Sequence, residues 1–236
     1  MQIVGVLSRK GGVGKTTLAT NLAVLAGEAG KRTLLIDLDP QRSAAHWWRA
    51  RDAATPQLVE TDPASLKEVL EAAAEDGVAM AVVDARPSAE FDVAHVATLA
   101  DLVLVPTRPA VFDLRAILDT LDIVRTAGRR ALIALNACPP PRGAGEASVV
   151  VDARHALAAF GVPVAPVAII HRSAFPAAAL QGLATVELDP SSKAAKEIRA
   201  LWRAVEKELI NGEANPRGRT GKETFGNSDS RAPASG

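Results

Sequence analysis

The residues best suited to chemistry stand near the start of the chain, in SRKGGVGKTTLATNLA at residues 8–23. A Gly-rich turn leading into a helix-forming run offers inward-pointing backbone amides and a helix N-terminus whose dipole favours anions, a combination that cradles phosphate. Gly11, Gly12, Val13, Gly14, Lys15, Thr16 and Thr17 would form that cradle. Glycines are needed because the backbone must approach phosphate oxygens without a Cβ in the way. Lys15 would then reach the β and γ phosphates of a nucleotide and the Thr16 hydroxyl would ligate Mg²⁺. Lys10 is a second lysine in the same loop, one more than an ordinary phosphate cradle needs.

Such a loop works only between a strand and a helix, and the chain supplies both. Apolar runs rich in Val, Ile and Leu recur as QIVGVL at 2, RTLLIDL at 32, VAMAVVD at 78, DLVLVP at 101, RALIALN at 130 and VPVAPVAII at 162. Continuous runs of this kind suit strands buried on both faces. Helices are expected at 15–30, from Pro63 to 76, at 113–128, at 146–160 and at 191–210, several of them closed by glycine or opened by an Asp or Pro. Alternating strand and helix implies an α/β fold with a doubly wound, mainly parallel sheet flanked by helices, and ligands at the carboxyl edge of its strands. Ile198, Leu201, Trp202, Val205 and Leu209 share one face of the last helix. Residues 212–236, rich in Gly, Ser, Pro and charge with one aromatic, are expected to form a disordered tail beyond a single domain spanning residues 1–211.

Bulk properties exclude several classes. With 27 basic and 27 acidic residues the formal charge is zero, so any nucleic-acid surface must be a local patch. Cys138 is the only cysteine, which rules out a disulfide within the chain and a cluster needing two thiolates. The four histidines lack paired ligand spacing, so no zinc site is read, and the adjacent Trp47 and Trp48 do not by themselves imply base stacking. The first apolar run already feeds the Gly loop and none reaches membrane-spanning length, which predicts a cytoplasmic protein.

KGGVGKTT at 10–17 resembles the deviant Walker A motif of the SIMIBI class of P-loop ATPases, and the chain is similar to the ParA and MinD family of partition and positioning ATPases, most of all to its small plasmid-type ParA members. That resemblance covers most of residues 1–210 and implies ATP and Mg²⁺ as ligands, Mg²⁺-dependent hydrolysis, and a homodimer in which Lys10 reaches the phosphates of the other subunit. LLIDLDPQ at 34–41 matches the switch I segment. The resemblance implies that Asp39 positions the attacking water and that Asp37 supports the Mg²⁺ shell. AVVDARPS at 81–88 stands where the Walker B strand and switch II belong, with Asp84 holding Mg²⁺ through water; Ala85, Arg86 and Pro87 depart from the family's common Thr-Pro-Pro. Asn136 resembles the family's adenine-contacting Asn and equally suits a turn before the proline run at 139–141. Taken on residue type alone, Asp37 and Asp39 also suit helix caps or solvated loop acids.

By the same resemblance, the ATP dimer binds DNA nonspecifically through basic residues of the C-terminal half: Arg172, Lys193, Lys196, Arg199 and Arg203. Glu197, Glu206 and Glu208 partly neutralise that helix face, which would then be an ordinary solvated one. The implied partner is a ParB-like or other adaptor protein that stimulates slow hydrolysis, and the implied location is the nucleoid when ATP is bound. Cargo could be plasmid, chromosome or protein. A membrane-positioning ATPase of the MinD kind would need a C-terminal amphipathic helix that the tail lacks, its only large apolar residue being Phe225. A metabolic enzyme on the same fold is the third class; the cluster-bearing and tyrosine-kinase types need cysteine pairs or a Tyr cluster, and the chain has one Cys and no Tyr.

Overall fold

A computed structural model describes residues 1–86, 90–143 and 145–214. Six strands form one sheet: β1 (Gln2–Val6), β2 (Thr33–Asp37), β3 (Gln57–Glu60), β4 (Met80–Asp84), β5 (Leu102–Thr107) and β6 (Arg130–Leu135). Their order across the sheet is β3-β2-β4-β1-β5-β6, and every pairing is parallel. The helices are α1 (Lys15–Glu28), α2 (Ser43–Arg49), α3 (Leu66–Glu75), α4 (Glu90–Leu99), α5 (Val111–Thr126), α6 (Ser148–Ala158), α7 (Ala174–Ala179), α8 (Thr185–Leu188) and α9 (Lys193–Ala214).

Successive strand residues point to opposite faces, so the continuous apolar runs feed two cores at once. On one face Val4, Leu35, Val82 and Leu104 meet Leu18 and Leu22 of α1 and the apolar side of α9, including Ile198, Leu201, Trp202 and Val205. On the other, Ile36, Val83, Val103 and Ile133 meet Leu70 of α3, Val96 of α4, Leu121 of α5 and Leu157 of α6. Both faces are therefore covered, and the polar ends of the strands are the place left for a ligand.

Three expectations are corrected. The run at 162–170 is not a strand: it makes only the isolated bridges Ile133 to Val164 and Cys138 to Ile170. Pro163 and Pro166 remove amide donors that a sixth core strand would need. The sixth strand is instead β3, a short edge strand in which only Leu58 and Val59 are apolar. Finally, the last helix does not stop at 210. Residues 211–214 continue α9, with Gln2 Nε2 donating to Glu213 Oε1 at 2.8 Å. The remainder of the expected tail, 215–236, and Pro87 of the switch II segment lie outside the described residues.

Trp47 and Trp48 both serve packing. Trp47 is buried and its indole N–H donates to the Leu183 carbonyl at 3.1 Å, while the Trp48 N–H donates to the Pro56 carbonyl at 2.8 Å. Cys138 is buried, and burial pushes its thiol up to about 12, which leaves it unreactive.

Candidate nucleotide site at the carboxyl edge of the sheet

The loop from β1 to α1 turns through left-handed backbone at Gly12 (φ 72°) and Gly14 (φ 89°), conformations that L side chains rarely adopt. Gly14 is fixed a second way. A Cβ there would lie 2.2 Å from the Asn136 amide nitrogen. That amide donates to the Val13 carbonyl at 2.7 Å, so Asn136, at the end of β6, braces the loop from behind. Arg108, after β5, donates to the Gly12 carbonyl. The loop is thus held by the ends of two strands, with its amides leading into the N-terminus of α1.

Its two lysines are disposed differently. Lys15 is buried, and its ammonium donates to the Lys10 carbonyl at 3.4 Å. Burial lowers its pKa, against the fields of Asp84 and Asp39, which favour the charge. The Lys10 side chain is 40% exposed and its ammonium forms an ion pair with Asp113 in the first turn of α5.

Parallel register brings the acids to the same edge. Asp37 at the end of β2 pairs with Asp84 at the end of β4, which also stands beside Val6 of β1. Asp84 is 1% exposed, and neither carboxylate oxygen meets a partner in full hydrogen-bond geometry, although the Thr16 hydroxyl lies close enough to act on it. Burial is the main cause that pushes it up to about 7; the Thr16 hydroxyl and Lys15 favour its charged form, and Asp37 and Asp39 oppose it. A buried carboxylate left unsatisfied beside a hydroxyl is a poor structural feature and a good position for a hard divalent cation. The residues therefore fit Mg²⁺. Among the described residues no group of three or more His, Cys, Asp and Glu gathers to hold a metal.

Asp37 is also buried, and its pKa is raised chiefly by that burial. One of its oxygens accepts the Asp39 amide and the other the Ala45 amide, each at 3.0 Å. It thereby caps α2 from the strand end and shapes the loop that carries Asp39. Asp39 is half-buried, and its Oδ1 accepts the Gln41 amide at 2.9 Å. Lys10, the loop from Gly11 to Thr17, Asp37, Asp39, Asp84 and Asn136 are all brought to one edge of the sheet.

The basic set is divided. Arg172 pairs with Glu197 at 2.6 Å and Arg199 with Glu28 at 2.7 Å, whereas Lys193, Lys196 and Arg203 are exposed along α9. In the departing switch II segment, Arg86 is paired with Asp92. Sequence reading missed Asp113 and Arg108 as parts of the site. Each meets the loop across about a hundred residues of chain, and no local spacing signals such a contact.

A family model for the CobQ/CobB/MinD/ParA nucleotide binding domain matches residues 4–208. The chain belongs to this family. A relative from Gloeobacter kilaueensis, called maintenance of carboxysome distribution protein A, is 37% identical over 213 residues, which are 88% of this chain and 94% of the relative. Among solved structures, apo McdA from Cyanothece superposes with a TM-score of 0.70 at 20% identity, covering 85% of this chain and 99% of that one. The septum site-determining protein MinD from Pyrococcus horikoshii, complexed with Mg-ADP, gives 0.71 at 19% identity, over 89% and 98%. At these identities the two structures show a shared fold, that of the ParA/MinD ATPases.

The buried Asp84 carboxylate of this ParA/MinD-family chain has a measurable consequence. The folded-state pKa of Asp84 lies above its ordinary 3.8, so folding holds a proton through the window between about 4 and 7. The group's contribution to stability therefore falls as pH rises through that window and is least favourable above 7. Asp84→Asn is expected to raise Tm by roughly 5–10 °C at pH 8 without nucleotide or metal, the gain shrinking below pH 7 and vanishing near 4. Melting curves across pH check this; a lower Tm at pH 8 would mean the carboxylate is paired in solution.

Proposed function

We propose that this chain is a ParA-type ATPase that dimerises on ATP, binds DNA without regard to sequence, and positions a cargo through slow, partner-stimulated hydrolysis. The observation that carries the reading is the disposition of the two loop lysines. Lys15 is buried within the loop, facing Asp84 and Asp39, and suits the phosphates of its own subunit. Lys10 stands at the surface on a flexible stem, where it can act on the phosphates of a second copy.

In this reading Thr16 and Asp84 hold Mg²⁺, Asp84 through water, and Asp37 supports that shell while shaping the loop. When bound, Mg²⁺ supplies charge neutralisation at the β and γ phosphates. Lys15 and Lys10 share that work from the two subunits, and Asp39 orients water for in-line attack. Asn136 holds the loop and faces the adenine side. Hydrolysis is slow in the monomer because the site lacks Lys10 of the second copy. An adaptor that stabilises the competent dimer accelerates it.

DNA contact falls to Lys193, Lys196 and Arg203, with Arg172 and Arg199 contributing once they leave their glutamate partners. Cytoplasmic and nucleoid-bound states would then alternate with the nucleotide. Among the described residues no helix is long and apolar enough to cross a membrane. The 37% likeness to a carboxysome distribution protein favours a protein body as cargo over a plasmid or chromosome.

Gel shifts with ATP or ADP over a salt series test the DNA reading. ATP-dependent retention should fall steeply with salt and be indifferent to base sequence, because the contacts are to phosphate. Lys193→Glu and Arg203→Glu, each presented twice by the dimer, should each lower the salt slope by about 2 while sparing ATP binding. Equal retention with ADP, or pelleting with lipid vesicles in place of DNA, would transfer the function to another surface.

A further inference from the structure

The contact between Lys10 and Asp113 joins the loop to α5, and α5 grips the loop at more than one point. Arg9 pairs with Asp119 at 2.9 Å, and its amide donates to the Thr120 hydroxyl at 3.3 Å. The two ion pairs differ in kind. Arg9 and Asp119 have side chains 37% and 62% exposed, so water screens them and their pairing contributes little. The Asp113 side chain is only 6% exposed, while that of Lys10 is 40% exposed. Removing the ammonium therefore strands a desolvated carboxylate, the unfavourable half of breaking such a pair. The Lys10 backbone is anchored on both sides: its amide donates to the Ser8 hydroxyl at 3.3 Å, and its carbonyl accepts the Lys15 ammonium. What remains free to move is the Lys10 side chain.

We infer that Asp113 is a positioning residue that latches Lys10 inside its own subunit, so that Lys10 crosses to a second copy only when a γ-phosphate there replaces the carboxylate as its anion. The inference rests on the role across the dimer proposed for Lys10 and adds how that role is restrained. Leaving Asp113 is unfavourable by itself. A γ-phosphate, carrying more charge than one carboxylate, offsets the loss, and ADP has no γ group to offer. The latch thus makes dimerisation discriminate between the two nucleotides, and after hydrolysis it recaptures Lys10 and helps the subunits part.

Light scattering over an ATP titration, and again with ADP, is the test, using wild type, Asp113→Asn, Lys10→Ala and the double variant. Asp113→Asn is expected to reach half-maximal dimer at about tenfold lower ATP, equivalent to about 1.4 kcal/mol, and to form dimer with ADP where wild type does not. The gain should vanish in the double variant. A purely structural role for Asp113 would lower stability without shifting the ATP midpoint downward or admitting ADP. Asp113→Glu, which keeps the charge and moves it by one methylene, should shift the midpoint in the same direction by less, and serves if the Asn variant does not fold. A melting cycle on the nucleotide-free proteins gives an independent reading: the double variant should retain about 2–4 °C more than the sum of the single losses allows. An unchanged or raised ATP midpoint for Asp113→Asn, with wild type dimerising and Lys10→Ala not, overturns the latch alone, as does additive melting. Normal dimerisation by Lys10→Ala overturns the role of Lys10 across the dimer, and the latch with it.

Discussion

Replacing Lys15 with alanine is expected to abolish ATP binding, while the same change at Lys10 leaves binding nearly intact and removes the dimer. The difference follows from burial. Lys15 lies inside the loop, desolvated, in the fields of Asp84 and Asp39. A nucleotide there adds two or more phosphates to that concentration of negative charge. Without the ammonium they would sit unneutralised beside Asp84, and truncating one partner of a buried, hydrogen-bonded charge pair costs about 2–5 kcal/mol in affinity. The backbone amides of the loop would remain in both variants, so they do not distinguish them. Lys10 instead ends at the surface, with its ammonium on Asp113 of α5. Calorimetry with ATP and light scattering separate the two outcomes. ATP-dependent dimerisation by Lys10→Ala at the wild-type midpoint would mean that the second lysine is no part of a composite site.

How much of this was legible in the sequence depends on whether the signal was local. The Gly loop reads correctly because strand, turn and helix are contiguous, and the left-handed turns at Gly12 and Gly14 fall on glycines. Asp84 could be placed because it ends an apolar run, and parallel register then brings it to Asp37. The short helix α2 was missed because its cap is not adjacent: the oxygen that accepts the Ala45 amide belongs to Asp37, eight residues earlier on a strand. The end of α9 was misjudged because the polar, Gly-rich composition from Gly212 onward reads as a tail. In the fold Gly212 is a point of close approach, where a Cβ would come 2.8 Å from the Arg130 guanidinium. Arg130 itself bonds the Glu208 carboxylate and carbonyl, which ties the end of the helix to β6.

The same distinction explains the basic helix. Lys193, Lys196, Arg199 and Arg203 follow helical spacing, and spacing alone cannot say which cations are free. Tertiary partners decide it: Glu197 and Glu28 come from the same and a distant helix to neutralise Arg172 and Arg199. Asn136 shows the converse case. A residue read for adenine contact, or for a turn, has its amide committed to the loop, where Gly14 leaves room for it.

Asp39→Ala should produce a protein that binds ATP and dimerises but scarcely turns over. Asp39 is half-buried on a loop set by Asp37, close enough for its charge to act on Lys15, and it forms no ion pair with either loop lysine. Removing it takes away a group able to orient water and leaves the phosphate cradle, Asp84 and Thr16 in place. Loss of a positioned general base or water-orienting group costs about 10²- to 10⁴-fold in rate. Turnover should fall within that range while ATP affinity changes little, the pattern of an interaction made mainly in the transition state. One alternative is structural, since Asp39 also accepts the Gln41 amide and could act by shaping the turn. Asp39→Asn separates the two roles, because its carbonyl oxygen can keep that hydrogen bond while the negative charge is lost. If the Asn variant is as slow as the Ala variant and both remain dimeric with ATP, the carboxylate itself is what the reaction requires. Recovery of the wild-type rate in Asp39→Asn would assign Asp39 to the turn and leave the water to another group.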